Sequence, residues 1–88
     1  MINSYVDLKK SIDGLLGILK TLKVLDEKAN EVVVLARAYA SDSKHFLEQG
    51  NEFDALEAYS ISWAYIDSLL HLGMVEVDNL EGFTLGDE

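Results

Sequence analysis

The sequence predicts an all-α fold, an up-down-up antiparallel three-helix bundle followed by an acidic C-terminal tail. The 88-residue chain has no proline and only six glycines, a composition that permits long uninterrupted helices and disfavours a turn-rich β fold. Apolar residues also recur at spacings of three and four in three successive segments, which is the period of a helix packed along one face. We therefore expect one domain with a single core at 1–74 and a tail at 75–88.

The first predicted helix lies within the segment "SYVDLKKSIDGLLGILKTLKVLD". Ser4 followed by Asp7 resembles a capping box in which aspartate takes the usual place of glutamate. Gly14 and Gly17 each cost about 1 kcal/mol relative to alanine in a helix interior, which suggests that a neighbouring element approaches closely there. The apolar stripe of this helix comprises Tyr5, Leu8, Ile12, Leu15, Leu19 and Leu22.

A second helix is predicted to begin after Asp26, whose carboxylate is suited to accept free backbone amides at the N-cap. Gly50 supplies the left-handed residue that ends it. The alternative is a break at "SDS", residues 41–43, because such side chains compete for backbone hydrogen bonds. The inward stripe is predicted as Ala29, Val32, Ala36, Tyr39, Ser43 and Phe46, flanked by Val33, Ala40 and Leu47.

The third predicted helix is capped by Asn51, carries Asp54 in its first turn and ends near Gly73. Because its connection to the second helix is so short, these two helices are expected to form an antiparallel hairpin. The predicted inward stripe is Leu56, Tyr59, Trp63, Ile66 and Leu70.

The stretch "YSISWAYIDSLLHLG", residues 59–73, carries apolar side chains around roughly two-thirds of its circumference at about 100° per residue. A helix that is apolar nearly all round is covered on more than one side, which predicts a homodimer or a partner helix. The alternative is that the tail folds back over it through Val75, Val77, Leu80 and Phe83. The predicted interface residues are Ile61, Tyr65, Leu69 and Leu72, with Ile18 from the first helix.

Asp67 interrupts this apolar helix, and a carboxylate in such a position must be either paired or in contact with water. His71 lies four residues further on, and Arg37 falls at a similar height in the expected hairpin. We therefore predict a structural polar pin formed by Asp67, Arg37 and His71. The competing interpretation is a small-ligand or catalytic site built on Asp42, Asp67 and His71, which requires a concave pocket.

Composition limits the remaining functions. The net charge of −9 argues against nucleic acid as a partner, and no apolar run approaches the roughly 20 residues needed to cross a bilayer. The absence of cysteine excludes disulfides and thiolate metal sites and predicts a cytoplasmic protein. His45 and Glu48 share a helix face, but a closed metal site needs three or four ligands. No cofactor is expected, and no glycine-rich phosphate loop or serine elbow is present.

The segment 39–73 resembles a small, mainly archaeal helical family catalogued as domain of unknown function 357. The family pattern is matched without gaps by Tyr39, Asp42, Phe46, Gly50, Asp54, Ala55, Leu56, Asp67 and Gly73. The sequence departs from it at Asn51, at Ala64 and in the "DSL" run of residues 67–69, where the family has Asp-Ala-Gly. The resemblance implies a three-helix bundle and implies no activity.

These observations predict a non-enzymatic module for protein–protein interaction or homo-oligomerisation, without membrane or nucleic-acid contacts. A regulatory or docking subunit of a larger enzyme is the alternative, beside the ligand site on Asp42, Asp67 and His71.

Overall fold

In a computed structural model of the chain, the structure describes residues 4–78, and these are mostly helical, as predicted. The side chain of Ser4, and with it the predicted capping box, lies outside the described residues, as do positions 79–88 of the predicted tail. The elements are α1 (Ser4–Thr21), β1 (Lys23–Val24), a 3-10 turn (Glu27–Ala29), α2 (Asn30–Glu48), α3 (Glu52–His71) and β2 (Val75–Glu76).

Asp26 caps the 3-10 turn that leads into α2, its carboxylate accepting a 2.9 Å hydrogen bond from the backbone N–H of Lys28. The predicted cap residue is therefore right, although a short turn precedes the α-helix itself. From Asn30 the helix continues unbroken to Glu48, so the alternative break at residues 41–43 is not found. Ser43 is accommodated because its hydroxyl donates to the carbonyl of Ala40 at 2.8 Å.

Two glycines with positive φ end α2 and α3. Gly50 has φ 84° and Gly73 has φ 69°, a conformation that L-residues with a Cβ rarely adopt, and both predicted helix ends are confirmed. Backbone N–H groups of Gly50 and Asn51 donate to Leu47 and Phe46, which satisfies carbonyls at the end of α2. Asn51 occupies the N-cap of α3, but its side chain makes no capping hydrogen bond.

A two-stranded ladder joins the segment after α3 to the connection after α1. β1 and β2 pair antiparallel, with Lys23 opposite Glu76 and Val24 opposite Val75. The backbone N–H of Leu25 extends the pairing with a 2.8 Å hydrogen bond to the carbonyl of Met74. These strands were not predicted from the sequence, because two residues are too few to establish an alternating pattern.

The buried side chains form two clusters. The smaller one comprises Leu8, Ile12, Leu47 and Ala55, and it lies at the end of the molecule where the 49–51 turn connects α2 and α3. Leu16 and Tyr59 are partly buried and pack against both clusters. The larger cluster includes Leu15, Leu22, Val33, Trp63, Ile66 and Val75.

α2 and α3 pack against each other through small side chains, and this differs from the prediction. The buried positions include Ala36, Ala40 and Ser43 of α2 and Ala55, Ala58 and Ser62 of α3. At about 100° per residue, the buried faces are rotated from the predicted stripes by roughly 50° in α2 and 70° in α3. Small residues permit close approach of the helix backbones, and the Ser62 hydroxyl crosses to the Ala36 carbonyl at 2.7 Å.

Among the described residues, no other element closely approaches Gly17. A Cβ placed on this residue would meet no atom within 4 Å beyond the neighbouring backbone of its own helix, so the predicted explanation for this glycine is wrong. It lies on the exposed surface of α1.

Candidate functional site

The five predicted interface residues are not equally accessible. Ile18 and Leu69 are buried, with 5% and 4% of their surface exposed, so the prediction that they face outward is corrected. Ile61 and Tyr65 are partly buried, and the Tyr65 ring lies 6.1 Å from that of Tyr39. Leu72 is 70% exposed. The burial of Leu69 follows from the rotation of α3, which turns this residue into the larger core cluster, where Ile18 of α1 also lies.

The chain itself covers the C-terminal half of α3. Val75 of β2 is buried in the same cluster as Leu69, and Met74 and Val77 pack against that cluster. The fold-back alternative is therefore found as far as Val75 and Val77. Leu80 and Phe83, the other residues named for it, lie outside the described residues.

The predicted polar pin is only partly formed. The Arg37 guanidinium donates a 2.7 Å hydrogen bond to the Leu19 carbonyl, which ties α2 to the end of α1. Asp67 and His71 are neighbours, with the carboxylate 3.5 Å from Nδ1. Nδ1 also lies 2.8 Å from the backbone carbonyl of Asp67, to which it donates in the tautomer that is protonated at Nδ1. The predicted Asp67–Arg37 bridge is not among the ion pairs of the described residues.

The residues of the catalytic alternative lie at or near the surface. Asp42 on α2 and His71 at the end of α3 are exposed, whereas Asp67 is half-buried, with 43% of its side chain accessible. Within residues 4–78, no group of three His, Asp or Glu side chains is placed to hold a metal ion. Over the same range, every buried side-chain nitrogen and oxygen has a hydrogen-bond partner.

An open groove lies between the first halves of α1 and α3, with a volume of about 480 Å³. Phe53 and Leu56 border it from α3, and they are 77% and 50% exposed. We call this feature the α1–α3 groove; its lining residues are Asp7, Leu8, Ser11, Glu52, Phe53, Leu56 and Tyr59.

The groove follows from the packing of α3. Because Ala55 and Ala58 face the interior in this half of the helix, the larger Phe53 and Leu56 are displaced toward solvent. Leu56 was predicted to point inward, and this prediction is wrong. The spacing of small residues along α2 and α3 is the signal that would have identified the correct face.

A hydrogen bond between Trp63 and Tyr59 links the groove to the larger core cluster. Trp63 Nε1–H donates to the Tyr59 hydroxyl at 3.0 Å. Tyr59 lines the groove, whereas Trp63 belongs to the larger core cluster. Trp63 is the only tryptophan of the chain, so its fluorescence is a natural reporter of events in the groove.

A second groove of about 480 Å³ lies beside α1 and has a different character. Three of its six lining residues are charged, namely Asp13, Lys20 and Arg37. Leu16, Gly17 and Leu19 complete it. The α1–α3 groove is thus the more apolar of the two.

A family model described as a protein of unknown function, DUF357, matches residues 14–75. The chain belongs to the DUF357 family. Protein AF1782 from Archaeoglobus fulgidus, a DUF357 protein of known crystal structure, is similar at 26% identity with a TM-score of 0.72. The similarity covers 84% of this chain and 92% of that chain. No curated protein matches this DUF357 chain. Within residues 4–78, every helix is too short or too polar to span a membrane.

Proposed function

We propose that this DUF357 chain is a non-enzymatic protein-interaction module that holds another polypeptide in the α1–α3 groove. The observation that supports the proposal is the exposure of Phe53 and Leu56 side by side in a concave, mainly apolar surface. Large apolar side chains gathered in a groove mark interaction surfaces, and grooves between helices commonly accept an apolar helix face. Either a second copy of this chain or a helix of another protein could supply such an apolar helix face.

The proposal includes an up-down-up arrangement of the three helices with an acidic tail. The short turn between α2 and α3 and the hydrogen bond from Ser62 to Ala36 support it. A cytoplasmic location, supported by the lack of cysteine, is part of the same proposal, as is function without nucleic acid, membrane or cofactor.

The alternatives have less support. A docking subunit of a larger enzyme is the special case in which the polypeptide in the groove belongs to an enzyme. A catalytic site on Asp42, Asp67 and His71 is less favoured, because these residues line neither the α1–α3 groove nor the groove beside Gly17.

The proposal is tested by selecting displayed helical peptides on the wild-type chain. Selected peptides are then measured on a Phe53→Ser, Leu56→Ser double variant. The matched control is Val34→Ser, Leu35→Ser, which removes two exposed apolar residues from α2. We expect selected peptides to lose at least tenfold in affinity on the groove variant and to bind the control as they bind wild type.

Equal binding to all three chains would contradict the proposal, as would failure to select any peptide. Circular dichroism and urea unfolding of both double variants establish that they are folded. Both remove only exposed side chains, and such surface substitutions usually change stability by less than about 0.5 kcal/mol each.

A further inference from the structure

The lining of the α1–α3 groove carries negative charge. It contains the carboxylates of Asp7 and Glu52 and no lysine, arginine or histidine. On α1, Lys9 does not line the groove and instead forms a 2.9 Å ion pair with Asp13. The chain as a whole carries a net charge of −9. An apolar surface bordered by acids discriminates among partners by charge as well as by shape.

We propose that the occupant of the groove is an amphipathic helix of another protein that carries basic residues beside its apolar face, rather than a second copy of this chain. This inference rests on the proposed function, since it specifies the chemistry of the partner at the same groove. It commits to a polypeptide with bulky apolar side chains and flanking lysine or arginine.

The shape of the groove suits about two turns of helix. Its α3 wall extends from Glu52 to Tyr59, which is about 10 Å at 1.5 Å per residue. Phe53 and Leu56 are three residues apart and lie on the same side of α3. A partner helix fills the space between them and Leu8 with apolar residues at i and i+3 or i+4.

Charge argues against a second copy. Most homodimers are closed by a two-fold axis, so the same surface of both chains meets itself. Such a dimer would place Asp7 and Glu52 of one chain near those of the other, between two chains of net charge −9. Like charges across an interface oppose association, whereas a basic helix gains attraction from the same carboxylates.

The test uses two synthetic peptides of about 18 residues, long enough for about five helical turns. Both have the same leucine and phenylalanine positions and no tryptophan; one is flanked by lysine and the other by glutamate. Binding to the full chain is followed by Trp63 fluorescence and by anisotropy of a labelled peptide. At about 20 mM salt we expect the lysine peptide to bind at least tenfold tighter, and this preference to shrink at about 0.5 M salt.

Two double variants test whether the preference for the lysine peptide comes from the carboxylates of the groove and whether binding depends on its apolar residues. Asp7→Asn with Glu52→Gln is expected to reduce the preference for the lysine peptide several-fold while leaving the glutamate peptide unchanged or tighter. Phe53→Ser with Leu56→Ser is expected to abolish measurable binding of both peptides. Sedimentation equilibrium of the wild-type chain, over a wide concentration range, is expected to give a monomer.

The contrary outcomes distinguish the two proposals. Groove-dependent binding without a preference for lysine overturns the charged partner and leaves the interaction function intact. A dimer that Phe53→Ser dissociates identifies a second copy as the occupant and overturns this inference alone. Lysine-peptide binding that survives loss of Phe53 and Leu56 is generic attraction to an acidic protein and overturns both, as does a monomer that binds neither peptide.

Discussion

The two halves of α3 differ in what covers them. In the C-terminal half, Trp63, Ile66 and Leu69 are buried in the larger core cluster, which Val75 of the short ladder completes. In the N-terminal half, Ala55 and Ala58 are buried while Phe53 and Leu56 face solvent. Both halves carry large apolar side chains, so the hydrophobicity of a side chain alone does not determine whether it is buried. The position of the small residues decides it, because they set which face approaches α2.

The two halves of α3 are suited to different roles. A half-helix that is covered by its own chain contributes stability, and a half-helix that is left open is available for a partner. Substitutions in the two halves are therefore expected to act on different properties.

The largest expected effect is that of Ile66→Ala, which should lower the free energy of unfolding by about 2–5 kcal/mol, because it removes a fully buried side chain and leaves a cavity. Phe53→Ala in the open half should change it by less than about 0.5 kcal/mol. Urea unfolding followed by circular dichroism measures both. Similar decreases in the free energy of unfolding from the two substitutions would mean that Phe53 is also part of the core and that the two halves of α3 do not differ in burial.

Val75→Ala tests whether the ladder covers the C-terminal half. Val75 is 3% exposed, and the loss of two buried methyl-sized groups at about 0.8 kcal/mol each predicts a destabilisation of about 1.6 kcal/mol. Val34→Ala is the matched control, since Val34 is 63% exposed on α2 and should have little effect. Thermal and urea unfolding give the two values. If Val75→Ala lowers the free energy of unfolding no more than Val34→Ala does, the segment after α3 does not cover the C-terminal half of this helix.

Ser62→Ala examines the close contact between α2 and α3. The substitution removes the buried hydrogen bond from the Ser62 hydroxyl to the Ala36 carbonyl and is expected to cost about 1 kcal/mol. Ser68→Ala is the control, because the exposed Ser68 hydroxyl bonds only within its own helix, to Ala64. Equal effects would show that the hydrogen bond between helices adds no stability beyond a local one.

Gly17→Ala tests whether the surface of α1 around Gly17 is free of packed neighbours. Because no described residue outside this stretch of α1 lies within 4 Å of the added methyl group, we expect a gain of about 0.5–1 kcal/mol from the better helix propensity of alanine. Gly50→Ala is the contrasting control and should destabilise by about 1 kcal/mol, since its φ of 84° disfavours a Cβ. A destabilised Gly17→Ala chain would mean that something packs against α1 there.

Periodicity and turn chemistry predicted much of the fold but little of the site. The helices end where Gly50 and Gly73 were expected to end them, because a positive φ is a local property of glycine. The buried faces were misplaced, since large apolar residues were weighted above alanine and serine. Leu56 was consequently predicted to be buried but is exposed, and Leu69 was predicted to be exposed but is buried. For the same reason the groove beside Phe53 was not predicted. Arg37 bonds a carbonyl of α1 instead of Asp67, a choice that depends on where three helices meet.

The smallest expected effect concerns the exposed ion pair on α1 in the open half of the molecule. The hydrogen bond from Lys9 to the Asp13 carboxylate, together with their charge attraction, raises the pKa of Lys9 above its ordinary value. A group whose pKa is raised on folding stabilises the fold below its unfolded pKa, and this contribution is lost as pH rises through the folded pKa. Asp13→Asn should therefore lower the pKa of Lys9 in an NMR titration of its side chain. Both side chains are exposed, so the free energy of unfolding at neutral pH should be nearly the same in Asp13→Asn as in the wild type. A large destabilisation would show that the Lys9–Asp13 pair contributes substantially to the stability of α1.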